Sequence, residues 1–264
     1  MDLQLHNQHI LITGGSKGIG LACAQAFLQE GAKVSLVSRD TANLDKARQS
    51  LQTQFASDRI HTVAADLRDA QAALMALDSA EAALGPVDVL VNSAGAAKRT
   101  PAPELTPEAW QDAMQAKYFT YIHMMNPAIQ RMAARGTGNV VNVVGNGGKV
   151  ASPIHLPGGA ANAALMLASV GLAAAYGPQG IRVNAINPGL TRTDRLQEGM
   201  VADARNQGIS TEQAIEARLA KHPAHRFGRP DELGNTCAYL CSAHAGYING
   251  QNILLDGGSF PGVF

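Results

Sequence analysis

The first apolar run of the chain, His9–Ile12, ends in a glycine-rich turn that opens directly into a helical pattern. The turn reads Thr13-Gly14-Gly15-Ser16-Lys17-Gly18-Ile19-Gly20. Glycines allow a tight turn and let the backbone approach a pyrophosphate, while the helix N-terminus offers N–H groups and a positive dipole to the anion. Many glycine-rich turns bind nothing, but a strand before and a helix after favour a dinucleotide site. We therefore predict cofactor contacts from Gly14, Ser16, Lys17, Gly18, Ile19 and Gly20.

Short apolar runs alternate with longer helical patterns along the rest of the chain. The predicted strands are His9–Ile12, Lys33–Ser38, Ile60–Ala64, Val87–Asn92, Gly138–Gly145, Arg182–Asn187 and Asn252–Leu255. Several are continuous Val, Ile and Leu runs, which are typical of parallel strands buried on both faces. The predicted helices include Gly18–Glu30, Asn43–Phe55, one from Thr106-Pro107 through Tyr121, and one from Pro157 to about Tyr176. The alternation predicts an α/β fold with a doubly wound parallel sheet, and no linker or repeat divides residues 1–264 into more than one domain.

Charge and cysteine content narrow the partners and the compartment. Lys+Arg and Asp+Glu both number 21, so no basic excess exists to hold a nucleic acid or an anionic membrane. Three cysteines without framework or zinc spacing indicate free, buried thiols in a reducing compartment, and no metal site is expected. No signal peptide precedes the first strand, and the stretch Ala160–Tyr176 is too short and too rich in Gly and Ala to span a bilayer. We therefore expect a cytoplasmic protein with a small-molecule substrate.

The end of the second predicted strand indicates which cofactor is used. An NAD site usually has an acid there, which accepts a hydrogen bond from the ribose 2′-OH. In this chain Ser38 replaces that acid, Arg39 offers a bidentate fork for a 2′-phosphate, and Lys17 adds a second cation. The alternative is a pair of solvated surface charges. We predict that NADP(H) is preferred over NAD(H).

Further motifs follow in order along the chain. They are Asp66-Leu67, Asn92-Ser93-Ala94-Gly95, Arg182-Val183-Asn184-Ala185-Ile186-Asn187-Pro188-Gly189, Gly228-Arg229-Pro230-Asp231-Glu232 and Gly250–Gly258. Together with Thr13–Gly20 they resemble the short-chain dehydrogenase/reductase family, and its 3-oxoacyl-[acyl-carrier-protein] reductase-like members in particular, over nearly the whole chain. The resemblance implies a Rossmann-like fold with strand order 3-2-1-4-5-6-7. It also implies cofactor contacts from Asp66, Leu67, Asn92, Ala94, Gly95, Pro188, Gly189, Thr191 and Thr193.

The catalytic positions depart from the family, whose members use a Ser, a Tyr and a Lys, with an Asn from a neighbouring helix. This chemistry needs a hydroxyl proton donor near the hydride and a cation that stabilises its phenolate. The matching positions hold Gly145 for Ser, Gly158 for Tyr, Asn162 for Lys and Lys117 for Asn. No tyrosine of the chain has a lysine four residues later.

Lys117 and Asn162 therefore look exchanged, and we predict that Lys117 holds the nicotinamide ribose and tunes the proton donor; the alternative is chance drift. The donor candidates are His155, whose unperturbed pKa suits proton transfer, and Tyr118 or Tyr121. Alternatively, His155 is merely a solvent-facing loop residue. Asn146 and Lys149 are candidates for orienting a substrate oxygen.

Residues of about 191–228 occupy the position of the family's variable substrate lid. Ser210-Thr211-Glu212-Gln213 is a capping-box pattern that predicts a helix through Ala220. Basic residues are frequent here, which suits an acidic substrate such as a carboxylate or a CoA thioester, although a solvated basic surface is the simpler explanation; they are Arg192, Arg195, Lys221, His222, His225 and Arg226.

Three functions remain open. The first is an NADP(H)-dependent oxidoreductase acting on a small carbonyl, alcohol or acyl-thioester through a non-standard site. The second is a catalytically inactive NADP(H)-binding sensor or assembly subunit, and the third is an NADP-independent lyase or isomerase. The resemblance also implies a homotetramer or homodimer that pairs the helices carrying Lys117 and Asn162. Its apolar contact would come from Met124, Met125, Leu165, Leu167 and Val170, for which core burial is the alternative.

Overall fold

The structure, a computed structural model, describes residues 1–95 and 97–262, without the side chain of Asn206. Its strands form one parallel sheet in the order β3-β2-β1-β4-β5-β6-β7, which confirms the expected order. The strands are β1 (His9–Thr13), β2 (Lys33–Ser38), β3 (Ile60–Ala64), β4 (Val89–Asn92), β5 (Gly138–Val143), β6 (Ile181–Pro188) and β7 (Asn252–Leu255).

Helices cover both faces of the sheet, as a parallel sheet buried on both sides requires. They are α1 (Gly18–Gln29), α2 (Thr41–Gln52), α3 (Ala70–Leu84), α4 (Pro107–Ala113), α5 (Thr120–Arg135), α6 (Leu156–Tyr176), α7 (Asp194–Gln207), α8 (Thr211–Ala220) and α9 (Pro230–Cys241). One core layer packs α1, α2 and α9 on the sheet, and the other packs α3, α5 and α6 on the opposite face. The free cysteines lie buried in the first layer, as predicted.

Several predicted boundaries moved by one to three residues, and two of the shifts have identifiable reasons. The predicted strand Gly138–Gly145 ends at Val143, because Gly145 takes φ 123° and turns the chain out of the sheet. The predicted helix Asn43–Phe55 begins earlier, at Thr41, because the Asp40 side chain caps it by accepting from the Asn43 N–H at 2.9 Å. The capping box at Ser210 is present as predicted, and α8 ends at Ala220.

The helix predicted from Thr106-Pro107 begins there, with Thr106 Oγ1 accepting from the Ala109 N–H at 3.3 Å. It is not one continuous α-helix, however. A turn of π-helix, Met114–Phe119, separates α4 from α5 and carries Lys117. Such wide turns are rare and occur frequently at functional sites.

The segment Leu156–Gln179, which contains α6, is long and apolar enough to cross a membrane by length and composition, with 24 residues and a mean hydropathy of 1.5. The expectation considered only Ala160–Tyr176, and it was wrong in taking that as the whole length of the apolar segment. The inward-facing Leu165 and Met166 are buried, and α6 packs against β6 and the π-helical turn. In this structure α6 is one of the helices that cover a face of the sheet.

Candidate cofactor and active site

A cavity of about 560 Å³ lies at the carboxyl ends of β1, β2 and β4. This is the edge at which parallel α/β sheets bind their ligands. Most of the predicted cofactor residues line it, namely Gly14, Ser16, Lys17, Gly18, Ile19, Ser38, Arg39, Asp66, Leu67, Ala94, Gly95 and Thr193. Sequence reasoning missed other residues of its lining, which are Val37, Ala65, Arg68, Ser93, Ala116, Thr120, Asp194, Arg195 and Glu198.

The glycine turn has the geometry that a pyrophosphate requires. Gly14 and Gly18 take φ of +66° and +57°, in the left-handed region that favours glycine. A Cβ on Gly20 would lie 2.3 Å from the Gly14 carbonyl oxygen, so only glycine lets α1 pack this closely on the turn. A Cβ on Gly18 would meet nothing nearer than Thr193 Cγ2 at 3.5 Å, so this position faces the cavity. The residues present therefore fit a dinucleotide cofactor.

Asn92 is buried and holds strand ends together. Its Nδ2 donates to Asn142 Oδ1 at 3.0 Å, and its Oδ1 accepts from Thr13 Oγ1 at 3.3 Å. The Thr13 hydroxyl in turn accepts the backbone N–H groups of Ser93 at 3.1 Å and Ala94 at 3.2 Å. Asn92 and Thr13 thus fix the loop after β4, and Asn92 itself does not line the cavity.

Four more predicted cofactor residues lie outside the cavity lining, and they are Gly20, Pro188, Gly189 and Thr191. Gly189 is needed for packing, since a Cβ there would lie 2.8 Å from Asp256 Cβ. Thr191 Oγ1 donates to the Gly189 carbonyl at 3.3 Å. Direct cofactor contacts from these residues stay predictions.

The β2 end of the cavity is rich in cations. Lys17, Arg39 and Arg68 line it, and Ser16 Oγ donates to Ser38 Oγ at 3.1 Å. Arg68 holds the Asp66 carboxylate, with Nε at 3.0 Å from Oδ2. The side-chain hydrogen bonds of Arg68, together with its backbone N–H and its charge, lower the pKa of Asp66, and the charge of Arg39 contributes least. Because Arg68 engages the acid, Lys17 and Arg39 remain to meet a phosphate.

The His155 ring lies against Gly158, the position that the family resemblance matches to Tyr. A Cβ on Gly158 would lie 2.2 Å from His155 Cε1 and 2.3 Å from its Nε2. Its Nδ1 is buried without a partner among the described residues. Burial lowers the pKa of His155, and the charges of Arg195, Arg99 and Lys117 lower it further. The imidazole is therefore neutral at pH 7. It lies beside the position that the Cβ of a side chain at residue 158 would take.

Two amides lie at the turn of Gly145, the position that the family resemblance matches to Ser. Asn162 is 7% exposed, and its Nδ2 lies 3.4 Å from the Cβ positions of both Gly145 and Gly147. Asn146 Nδ2 donates to Asp256 Oδ2 at 2.9 Å. Within the described part of the chain, the Oδ1 atoms of Asn162 and Asn146 are buried without a partner. Buried acceptors of this kind require a donor, which a ligand hydroxyl or a water supplies.

Lys117 is buried beneath the site. Its Nζ donates to Tyr121 Oη at 2.8 Å and to the Val143 carbonyl at 3.1 Å. Burial, and secondarily the charge of Arg195, lowers the pKa of Lys117 to about 7. A neutral amine has two N–H donors, and these two acceptors use both. Lys117 does not line the cavity, and no hydrogen bond joins it to Asn162 within the described residues, so the predicted ribose contact requires the amine to leave its partners.

The tyrosine candidates are less well placed than His155. Tyr121 is fully buried, its Oη donates to the Val143 carbonyl at 2.5 Å, and burial raises its pKa above the usual phenol value. Its hydroxyl is therefore occupied by hydrogen bonds with Lys117 and with the Val143 carbonyl of β5. Tyr118 is half-buried and packs against the small cluster around Tyr121.

Comparison with known proteins agrees with this geometry. The family model described as enoyl-(acyl carrier protein) reductase matches residues 14–259. The chain therefore belongs to the short-chain dehydrogenase/reductase family of oxidoreductases.

Relatives with different substrates cover nearly the whole chain. Gluconate 5-dehydrogenase of Gluconobacter oxydans is 29% identical over 96% of this chain and 95% of its own length. The A-factor type gamma-butyrolactone 1'-reductase of Streptomyces virginiae is 34% identical over 94% of this chain and 93% of its own. L-sorbose reductase from Gluconobacter frateurii, solved with NADPH and L-sorbose, superposes with a TM-score of 0.93 at 30% identity over 100% of both chains.

Proposed function

We propose that the protein is an NADP(H)-dependent oxidoreductase that interconverts a small alcohol and its carbonyl compound, with His155 in place of the family's Tyr. The observation that carries this proposal is the imidazole seated where a side chain at Gly158 would begin. The cation-lined end of the cavity and the NADPH bound to L-sorbose reductase support the choice of cofactor.

The mechanism follows from the protonation state of His155. A bound nicotinamide supplies the hydride chemistry. In the oxidation direction, the substrate hydroxyl gives its proton to Nε2 of the neutral imidazole, and in the reduction direction the imidazolium returns that proton to the carbonyl oxygen. The orphaned Oδ1 atoms of Asn162 and Asn146 accept from hydroxyl groups of the ligands. Lys117 acts as a positioning residue, because its charge is one of those that lower the pKa of His155.

Arg39→Ala should weaken NADP(H) binding by about 1.5–3 kcal/mol and leave NAD(H) binding nearly unchanged, since only NADP(H) carries the 2′-phosphate. Fluorescence titration of the wild type and the variant with both cofactors measures this. The exposed Arg48, on α2 outside the cavity lining, provides the matched control Arg48→Ala. Equal affinity of the wild type for the two cofactors would contradict the preference.

We also propose a homodimer or homotetramer that uses the outer face of α6. Leu167 is 75% exposed there and Val170 is 41% exposed. Met124, Met125 and Leu165 are fully buried in the core, so their expected part in the contact was wrong. Light scattering should show an assembly in the wild type and a smaller species for Leu167→Glu. A monomeric wild type at micromolar concentration would contradict the proposal.

The segment 191–228 is proposed as the substrate lid, and Thr193, Asp194, Arg195 and Glu198 from it line the cavity. A cytoplasmic location is proposed from the free thiols.

Purified protein mixed with NADPH and a panel of aldehydes, ketones and enones tests the function directly. Substrate-dependent NADPH oxidation that disappears in His155→Phe supports it. Tight NADPH binding without turnover of any compound would instead favour the inactive sensor or assembly subunit.

A further inference from the structure

Two arginines meet on one face of α7, beside the proposed proton donor. Arg195 lies in the first turn of α7 and lines the cavity. Gly199 and Asp203 follow at helical spacing on the same face. Arg99 reaches this face from the loop after β4, with its Nη1 4.0 Å from Asp203 Oδ1 and 4.0 Å from the Cβ position of Gly199. The Arg99 guanidinium thus lies near the face of α7 that carries Arg195.

The loop that carries Arg99 is joined to the loop that carries His155. The Thr100 N–H donates to the Ile154 carbonyl at 3.0 Å. Ala97 Cβ lies 2.9 Å from the Cβ position of Gly158, which the His155 ring also approaches. The charges of Arg195 and Arg99 both act on His155 and lower its pKa. Both arginines therefore belong to the reacting region.

The protein neutralises the positive charge here only in part. Asp203 forms a long ion pair with Arg99, at 4.0 Å, and the charge of Glu198 raises the pKa of Arg195 without forming an ion pair within the described part of the chain. The charge of Arg99 contributes to lowering the pKa of Arg195, after burial. A cation in the first turn also opposes the helix dipole, whereas an anion is favoured there. An anionic ligand beside the arginines would reduce both penalties.

We propose that the substrate carries a carboxylate, which Arg195 and Arg99 hold while the reacting carbon lies at His155. Guanidinium forks match the geometry of a carboxylate. This inference rests on the proposed function and narrows its substrate class. A phosphate of the cofactor has the same charge chemistry, so the test separates the two sources.

The experiment measures binding to the NADP⁺ complex by calorimetry with pairs of compounds that differ in one carboxylate. The pairs are lactate and propane-1,2-diol, glycerate and glycerol, and gluconate and glucitol. At least one carboxylate should bind roughly tenfold or more tightly than its neutral partner. Arg195→Gln and Arg99→Gln should each reduce this preference, while Arg205→Gln, an exposed arginine on the same helix, should retain it.

Three outcomes would overturn the proposal. They are a wild type that prefers no carboxylate, an unchanged preference in both glutamine variants, and an Arg195→Gln variant that loses NADPH affinity while it keeps the preference. The last outcome would assign the arginines to the cofactor. Carboxylate binding without turnover would refute the proposed function alone, whereas turnover of neutral ketones without carboxylate preference would refute this inference alone.

Discussion

Replacing His155 with Phe should lower kcat by about 100-fold or more while NADPH affinity stays within about twofold of the wild type, because the ring keeps its volume but loses the proton-carrying nitrogen. Turnover of a panel substrate and NADPH titration give the two readouts.

Gly158→Ala is a second variant, which displaces the His155 ring and does not replace it. Its new Cβ falls 2.2 Å from the imidazole, so the ring must move and kcat should fall as well. Tyr118→Phe, which removes the remaining tyrosine candidate, should retain activity; if it alone abolished activity, Tyr118 would be the donor.

The pH profile separates a histidine from a phenol. Because burial and three neighbouring cations lower the pKa of His155 below its usual 6.5, the neutral base is already present at pH 7. The rate of alcohol oxidation should therefore rise with pH only up to an inflection below pH 6.5 and then stay level. Carbonyl reduction needs the imidazolium, so it should accelerate as pH falls through the same inflection. Arg195→Gln removes one of the cations and should move this inflection to higher pH in both directions of the reaction.

The strand, turn and helix around Thr13–Gly20 could be predicted because each element has a local signal. The apolar run of the strand, the positions of the glycines and the start of the helix can all be read in one short segment of sequence. The strand order, by contrast, followed from the family resemblance. That Gly145 and Gly158 stand where the family has Ser and Tyr stays a prediction, because it rests on the register of the resemblance. Where the His155 ring would lie was not readable, since it depends on the contacts of a loop with Ala97 and Gly158.

Other features have no local signal at all. The π-helical turn Met114–Phe119 reads as ordinary helix, yet it places Lys117 against Tyr121 and Val143. Met124 and Leu167 are both apolar, and only packing shows that the first is core and the second surface. The approach of Arg99 to the α7 face depends on where the loop after β4 lies relative to the helix, which the sequence does not show.

Lys117→Met should stabilise the protein near neutral pH, and the gain should shrink as pH rises. An amine whose pKa is about 7 in the folded state and 10.5 when exposed binds fewer protons in the folded state between these values. The free energy of unfolding of the wild type therefore rises with pH across that window, and below it the full cost of burying the charge remains. That cost is at most about 5 kcal/mol. Methionine avoids it and leaves Tyr121 bonded to Val143, so we expect a gain of roughly 1–4 kcal/mol at about pH 6.

Denaturant unfolding of the wild type and Lys117→Met across this pH range gives the comparison, with the exposed Lys46→Met as control. A Met variant that is less stable near pH 6 would show that the two hydrogen bonds of the amine outweigh the cost of its burial.

The NADPH affinity of the same variant then distinguishes two roles for the buried lysine. If Lys117 holds the ribose, the variant should lose about 1–3 kcal/mol of NADPH binding, and Lys117→Asn combined with Asn162→Lys should restore much of it. If Lys117 acts only through His155, NADPH affinity should stay unchanged and the inflection of the pH profile should move upward.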